Sequence, residues 1–244
     1  MFDCSRSLAA TWLLCVAALL PAQAQEAQIR KTLAERLPQL PKIDEVTRTP
    51  VAGLWEVRYG GTELLYSDDK GDFILVNGAM IDTKTRTDLT EARTEKLLAL
   101  DFNKLPLKDA MVFRQGKGSR KMAVFEDPNC GYCKRFEGDI AALKDVTIYI
   151  FLTPVLGPDS LAKSRDIWCA KDAAKAWRSW MLEAAVPPKA SDKCDTSAVE
   201  RNVAFAKTHR ITGTPTVFFE DGVRKPGAIP GDLVEKLLVA AAKK

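Results

Sequence analysis

The spacing of apolar and polar residues changes several times along the chain, and each change marks an element. Between Ala27 and Leu37, Ile29, Leu33 and Leu37 recur at helical spacing, which predicts a short amphipathic helix ended by Pro38 and Pro41. The period then drops to that of a strand. Trp55, Val57 and Tyr59 alternate with Glu56 and Arg58, Gly60-Gly61 makes a tight turn, and Leu64–Tyr66 and Phe73–Val76 supply further strands around the polar turn at 68–71. One helix on so small a sheet buries little apolar surface, so a strand edge that pairs with a second copy is a physically sensible stabiliser. From Asp82 to Asp101 the residues become polar and helix-forming, with Asp88 as N-cap and Glu91 as its capping-box partner. Leu89, Leu97, Leu98 and Leu100 give this linker helix only a weak apolar stripe.

From Leu105 onward strands and helices alternate. Met122–Phe125 reads as a strand, Cys130–Leu143 as a helix and Val146–Leu152 as a second strand of high β-propensity. Helices follow at Asp159–Cys169, Ala173–Ala185 and Ser197–His209. The chain closes with a strand at Thr216–Glu220, a hairpin turn at Asp221-Gly222 and a last helix from Gly231. The pattern is that of an α/β domain with a helical insertion, and no internal repeat is present.

Composition narrows the partners. The 244 residues are 46% apolar and 28% charged with a net charge of +4, which describes a globular chain. The one dense cationic cluster, Arg114 to Lys121, reads as a solvated turn, too narrow for a nucleic-acid face. Gly116-Lys117-Gly118-Ser119 within it lacks the upstream glycine of a phosphate loop.

The amino terminus differs in kind. Leu8–Leu20 is an apolar run too short to span a bilayer, preceded by Arg6 and followed by Pro21-Ala22-Gln23-Ala24, which reads as a secretory signal cleaved after Ala24. Leu14 ahead of Cys15 is too bulky for a lipoprotein site. No later segment is long and apolar enough for stable membrane insertion, so the expected location is a disulfide-permitting compartment outside the cytoplasm. Cys4 and Cys15 leave with the signal, and Cys130, Cys133, Cys169 and Cys194 stay. Four cysteines allow three connectivities, of which a local Cys130/Cys133 pair with Cys169/Cys194 is the natural one. A zinc site is disfavoured because Cys169 and Cys194 lack knuckle spacing and His209, the sole histidine, has no ligand-type neighbour.

Cys130-Gly131-Tyr132-Cys133 follows one predicted strand and opens a predicted helix. Unpaired N–H groups and the helix dipole at that position favour a thiolate, so Cys130 is the expected attacking sulfur and Cys133 the resolving one. Lys134 and Arg135 add positive charge, while Glu126 and Asp127 oppose it. Gly213-Thr214-Pro215 precedes the strand at Thr216, where a proline is best explained by a turn, including one with a cis bond. His209 reads as a helix C-terminal cation rather than a protease base. Trp168, Trp177 and Trp180 read as packing of the helical insert.

Three segments together resemble the DsbC/DsbG family of bacterial periplasmic disulfide isomerases: Phe125-Glu126-Asp127 ahead of Cys130-Gly131-Tyr132-Cys133, Ile167-Trp168-Cys169-Ala170-Lys171-Asp172, and Gly213-Thr214-Pro215-Thr216. The resemblance covers essentially the whole chain after the signal. It implies a signal at 1–24, a small α+β, cystatin-like dimerisation domain at 25–84, a linker helix at 85–104 and a thioredoxin-like catalytic domain at 105–244. It implies a V-shaped homodimer with an apolar cleft, a structural Cys169–Cys194 disulfide and a cis Thr214–Pro215 bond, with Thr214 and Pro215 at the substrate. A DsbD-type membrane reductase would keep Cys130 and Cys133 reduced, misoxidised secreted proteins would be the substrates, and no metal or other cofactor is implied. Gly131-Tyr132 is the isomerase form of the motif; relatives that rescue single oxidised cysteines carry proline before the tyrosine. Isomerase, such a reductase, and a holdase chaperone are the three functions to separate. The buried acid of thioredoxin itself would fall at Val124, leaving Asp127, Glu126 or water to take a proton from Cys133.

Overall fold

The computed structural model describes residues 20–243, so the expected signal at 1–24 lies mostly outside the described residues, as do Cys4 and Cys15. The chain divides into two compact units, Met1–Leu97 and Leu98–Lys244. In the first, helix α1 (Leu20–Arg36) lays the fully buried Ile29 and Leu33 on an antiparallel sheet of order β1-β2-β3-β4, formed by Ile43–Arg48, Leu54–Tyr59, Glu63–Asp68 and Ile74–Val76. Val46, Trp55, Val57 and Leu65 complete this core. Strand β1 departs from the expectation of three strands. Its sequence, IDEVTR, breaks apolar alternation with charge, which an edge strand tolerates because one side faces water.

The linker region also differs in detail. A two-strand ribbon, β5 (Ile81–Asp82) with β6 (Thr87–Asp88), precedes helix α2, which spans Leu89–Leu98 and buries none of its residues. Asp88 does cap it, its carboxylate accepting from Glu91 N at 2.9 Å. Within this unit Arg93 donates to Glu45 and Glu56, and Tyr66 pairs with Thr90.

The second unit is built on a five-stranded sheet of order β11-β10-β8-β9-β7: β7 (Met111–Gln115), β8 (Arg120–Glu126), β9 (Val146–Leu152), β10 (Thr216–Phe219) and β11 (Arg224–Pro226). Only β8 and β9 run parallel. Met122, Ala123, Val124 and Phe125 are all fully buried because β8 is central and covered on both faces. Met122 and Val124 point to one core, shared with helices α3 (Gly131–Ile140), α5 (Ala173–Glu183) and α7 (Gly231–Ala241). Ala123 and Phe125 point to the other, with α6 (Ser197–Thr208). Helix α4 (Pro158–Trp168) follows β9. Gly231 starts α7 close against the end of α3, where a Cβ would sit 2.5 Å from Asp139 O.

Three expectations are corrected here. The solvated turn shrinks to residues 116–119, because Arg114 and Gln115 end β7 while Arg120 and Lys121 begin β8 and pair with Glu235 and Glu220. The helix begun at Cys130 stops at Ile140. His209 caps α6 against Phe205, ring centroids 4.1 Å apart, and burial with the nearby Arg224 lowers its pKa, so it is not a helix-terminal cation at neutral pH.

Candidate active site

Strand β8 delivers the chain to the site, and the turn after it aims the cysteines. Asp127 is fully buried, and its carboxylate accepts from Asn129 N, Val155 N and Leu156 N at 2.8–2.9 Å and from Ser160 Oγ at 2.8 Å. Four donors on one side chain tie the cysteine loop to the loop after β9. Trp180 of α5 holds the same turn from another side, donating from Nε1 to Pro128 O at 2.6 Å. Lys134 and Lys163 place their ammonium groups 4.3 and 4.1 Å from its ring centroid.

Cys130 then falls at the N-cap of α3, with extended backbone angles, and Cys133 lies one turn in. Both thiols are free. Cys130 is 7% exposed and donates weakly to Thr214 O at 3.4 Å, across from the cis Thr214–Pro215 bond. Gly131 and Tyr132 face outward, with Tyr132 68% exposed. Cys133 has no exposure, and burial pushes its thiol far above the ordinary range, with the Glu126 carboxyl adding to the shift. The two sulfurs of one motif therefore occupy different surroundings, one at the surface end of a helix and one inside it.

Val124 carries no acid, and the acid is found two residues further on. Residues two apart on a strand share a face, so Glu126 points to the same side as Val124, toward Cys133. Glu126 is fully buried, and its surroundings hold its carboxyl well above the ordinary carboxylate range: burial first, then Glu137. Glu137, four residues beyond Cys133 on the same face of α3, accepts from Trp177 Nε1 at 2.9 Å. Neither the burial of Glu126 nor the role of Glu137 follows from the motif spacing. The signal was present in the face-sharing of 124 with 126 and of 133 with 137.

Away from the site, Cys169 and Cys194 are joined by a disulfide with Cα atoms 6.0 Å apart, across 25 residues of the insert. Trp168 donates to Asp195 O at 3.1 Å beside it, and Trp177 is fully buried against α3. Among the described residues no helix is long and apolar enough to cross a membrane, and no group of three His, Cys, Asp or Glu side chains is placed to hold a metal.

Known proteins share this architecture. Residues 107–242 match the thioredoxin-like domain family, and residues 20–91 match the family of disulfide bond isomerase protein N-terminal domains. The probable thiol:disulfide interchange protein DsbC of Bordetella parapertussis is 46% identical over 196 residues, 80% of this chain and 68% of that one. The thiol:disulfide interchange protein DsbC of Escherichia coli K12 is 30% identical over 221 residues, 89% of each chain. The chain belongs to the DsbC family. A disulfide interchange protein of Neisseria gonorrhoeae, known from its crystal structure, is 34% identical, with a TM-score of 0.54 over 57% of this chain and all of that one. Membership makes the chain a thiol-disulfide oxidoreductase of the isomerase type on a thioredoxin-like fold, preceded by the DsbC-type N-terminal domain.

Proposed function

We propose that Cys130 is the nucleophile with which this DsbC-family chain rearranges wrong disulfides in secreted proteins. The observation that carries the reading is the contrast between a free Cys130 at the start of α3, 3.4 Å from Thr214 O, and a free Cys133 enclosed one turn deeper. Cys130 thiolate attacks a substrate disulfide, forming a Cys130–substrate bond and releasing the other substrate sulfur as a thiolate. That thiolate either attacks elsewhere and the rearranged substrate expels Cys130, which is isomerisation, or Cys133 displaces the substrate and leaves the protein oxidised. Return to the reduced form then needs an electron donor, for which a DsbD-type membrane reductase is the proposed partner.

In this reading Thr214, ahead of Pro215, receives an extended segment of substrate through its backbone, a mode that tolerates many sequences. Tyr132, Val155 and Leu156, exposed near the motif, suit the apolar segments of a misfolded chain and favour holdase activity as a second property. The exposed Phe73, Leu75 and Val76 at the β4 edge, with the match of residues 20–91 to the DsbC-type N-terminal domain, support dimerisation through that domain. The proposed organisation keeps the signal at 1–24, the dimerisation domain at 25–84, the linker helix at 85–104 and the catalytic domain at 105–244, in the periplasm.

Refolding of a scrambled multi-disulfide substrate tests the chemistry. Cys130→Ser is expected to lose reshuffling and to keep any suppression of aggregation; reshuffling at the wild-type rate by that variant overturns the assignment. Sedimentation of the processed chain tests the assembly, and a monomer at micromolar concentration would refute it.

A further inference from the structure

Among the polar side chains of the second unit, Glu126 has the least accounted-for position. It is fully buried, and neither carboxyl oxygen receives a hydrogen bond from any N–H or hydroxyl group. A side chain buried in that way costs stability unless its neighbours make use of it. The polar groups that act on it are themselves acids: the Glu137 carboxyl and the Cys133 thiol. Glu137 is 4% exposed and has one neutral donor of its own, Trp177 Nε1. Two carboxyls in such a place cannot both ionise, and the arrangement is relieved when one proton is held between them. Trp177 stabilises negative charge on Glu137, so the shared proton belongs on Glu126, donated toward Glu137.

We infer that the Glu126–Glu137 pair is the proton acceptor and donor for Cys133, with Glu126 the residue that exchanges the proton with the thiol and Glu137 the positioning residue behind it. The inference rests on the proposed chemistry of Cys130. In the resolving step, Cys133 sulfur attacks the Cys130 sulfur of the mixed disulfide, the Cys130–Cys133 bond forms and the Cys130–substrate bond breaks. The substrate sulfur leaves with the electron pair as a thiolate. The Cys133 proton passes to the free oxygen of Glu126 while the proton already there moves onto Glu137, so the pair goes from one negative charge to none and total charge is conserved. On reduction of the protein the same path runs backward, and the departing Cys133 sulfur regains its proton from Glu126. Exchange of that proton with bulk water is slow by comparison, since both Cys133 and Glu126 have no exposed surface.

The groups facing Glu126 define what a pH profile reports. Cys133 and Glu137 face it from α3, Trp177 approaches Glu137 from α5, and the Cys130 sulfur lies near enough to act on it electrostatically. Asp127, next in sequence, directs its carboxylate to the loop after β9 instead.

Stopped-flow kinetics with a model disulfide separates the two halves of the cycle. In Glu126→Gln, mixed-disulfide formation at Cys130 is expected at the wild-type rate, while release by Cys133 slows about 100-fold at pH 7 and recovers in proportion to hydroxide. Glu137→Gln, which still offers Trp177 an acceptor, is expected to shift the pH profile of release with a smaller loss of rate. Release by Glu126→Gln at the wild-type rate across the pH range overturns the inference and leaves Cys130 as nucleophile. Failure of the wild-type protein to form a mixed disulfide takes down both. Carboxyl carbon NMR of the unaltered reduced protein covers the event that the variants do not fold. One carboxyl of the pair should titrate above the ordinary glutamate range and respond to Cys133 oxidation, and titration of both near the ordinary glutamate value of about 4.3 excludes the relay.

Discussion

Two pairs of cysteines occupy the same thioredoxin-like unit, and their surroundings have opposite consequences. Cys169 and Cys194 bridge 25 residues of the insert, in a half-buried place where Asp166 gathers Lys189 and Ala190 N from the same loop. Among the described residues the free thiols are those of the other pair, Cys130 and Cys133. Cys130 and Cys133 span a single helical turn, stay unbonded, and are set between Thr214 O on one side and two buried carboxyls on the other. A disulfide is thus structural or reactive according to what lies next to the sulfur, since the covalent chemistry is the same.

The largest test of that contrast is Cys130→Ser, which should abolish thiol-disulfide exchange while the Cys169–Cys194 bond remains oxidised on mass analysis. Residual exchange through the second pair would erase the distinction. Removing the second pair instead, as Cys169→Ala with Cys194→Ala, should lower stability by about 3 kcal/mol from loop entropy and leave exchange by Cys130 near wild type. Denaturant titration and a turnover assay on one sample check both halves. Next in size is Asp127→Ala, which strands the amides of Asn129, Val155 and Leu156 and the hydroxyl of Ser160. A cost of about 2 kcal/mol is expected, together with slower substrate attack as the cysteine turn loosens.

The pH dependence of stability gives a subtler measure. Folded Glu126 keeps its proton to a higher pH than the unfolded chain does. Its contribution to stability is therefore fully present below the unfolded value near pH 4.5 and is lost as pH rises toward the folded one. Glu126→Gln should remove that loss, flattening the stability curve above about pH 4.5 by up to about 1.4 kcal/mol for each pH unit. Parallel curves for the two proteins would mean the carboxyl ionises normally. His209 acts at the other end of its own window. Its lowered folded pKa makes the fold weaken as pH falls below about 6.5, where the unfolded chain takes up the proton first.

What could be read from the residues followed from the apolar pattern. Met122–Phe125, Val146–Leu152 and Thr216–Phe219 are nearly unbroken apolar runs because their strands are covered on both faces, and each is a strand of the sheet. Edge strands give no such run. In β7 the exposed Val112 and Arg114 alternate with the buried Met111 and Phe113, and β1 is interrupted by charge, so neither shows as an apolar run. The cysteine motif at a strand-to-helix junction was legible from spacing alone. Glu126 is one of the proton acceptors the motif offers to Cys133, but its burial is not legible, because a glutamate at the end of a strand normally faces water. Only the packing of α3 over β8 encloses Glu126 with Glu137.

Gly131 has a consequence for how this site can be retuned. Its amide makes no hydrogen bond to another backbone group, a Cβ there would meet nothing within 4 Å, and Cys130 before it has the extended angles, φ −74° and ψ 117°, that a following proline requires. The anchors of the turn, Asp127 and Trp180, bind residues outside the central dipeptide. Gly131 and Tyr132 therefore form an exchangeable cassette on a fixed mount, where Gly131→Pro should fold unchanged in stability or up to about 1 kcal/mol firmer. Evolution can vary the temper of the sulfur there without rebuilding the scaffold that aims it.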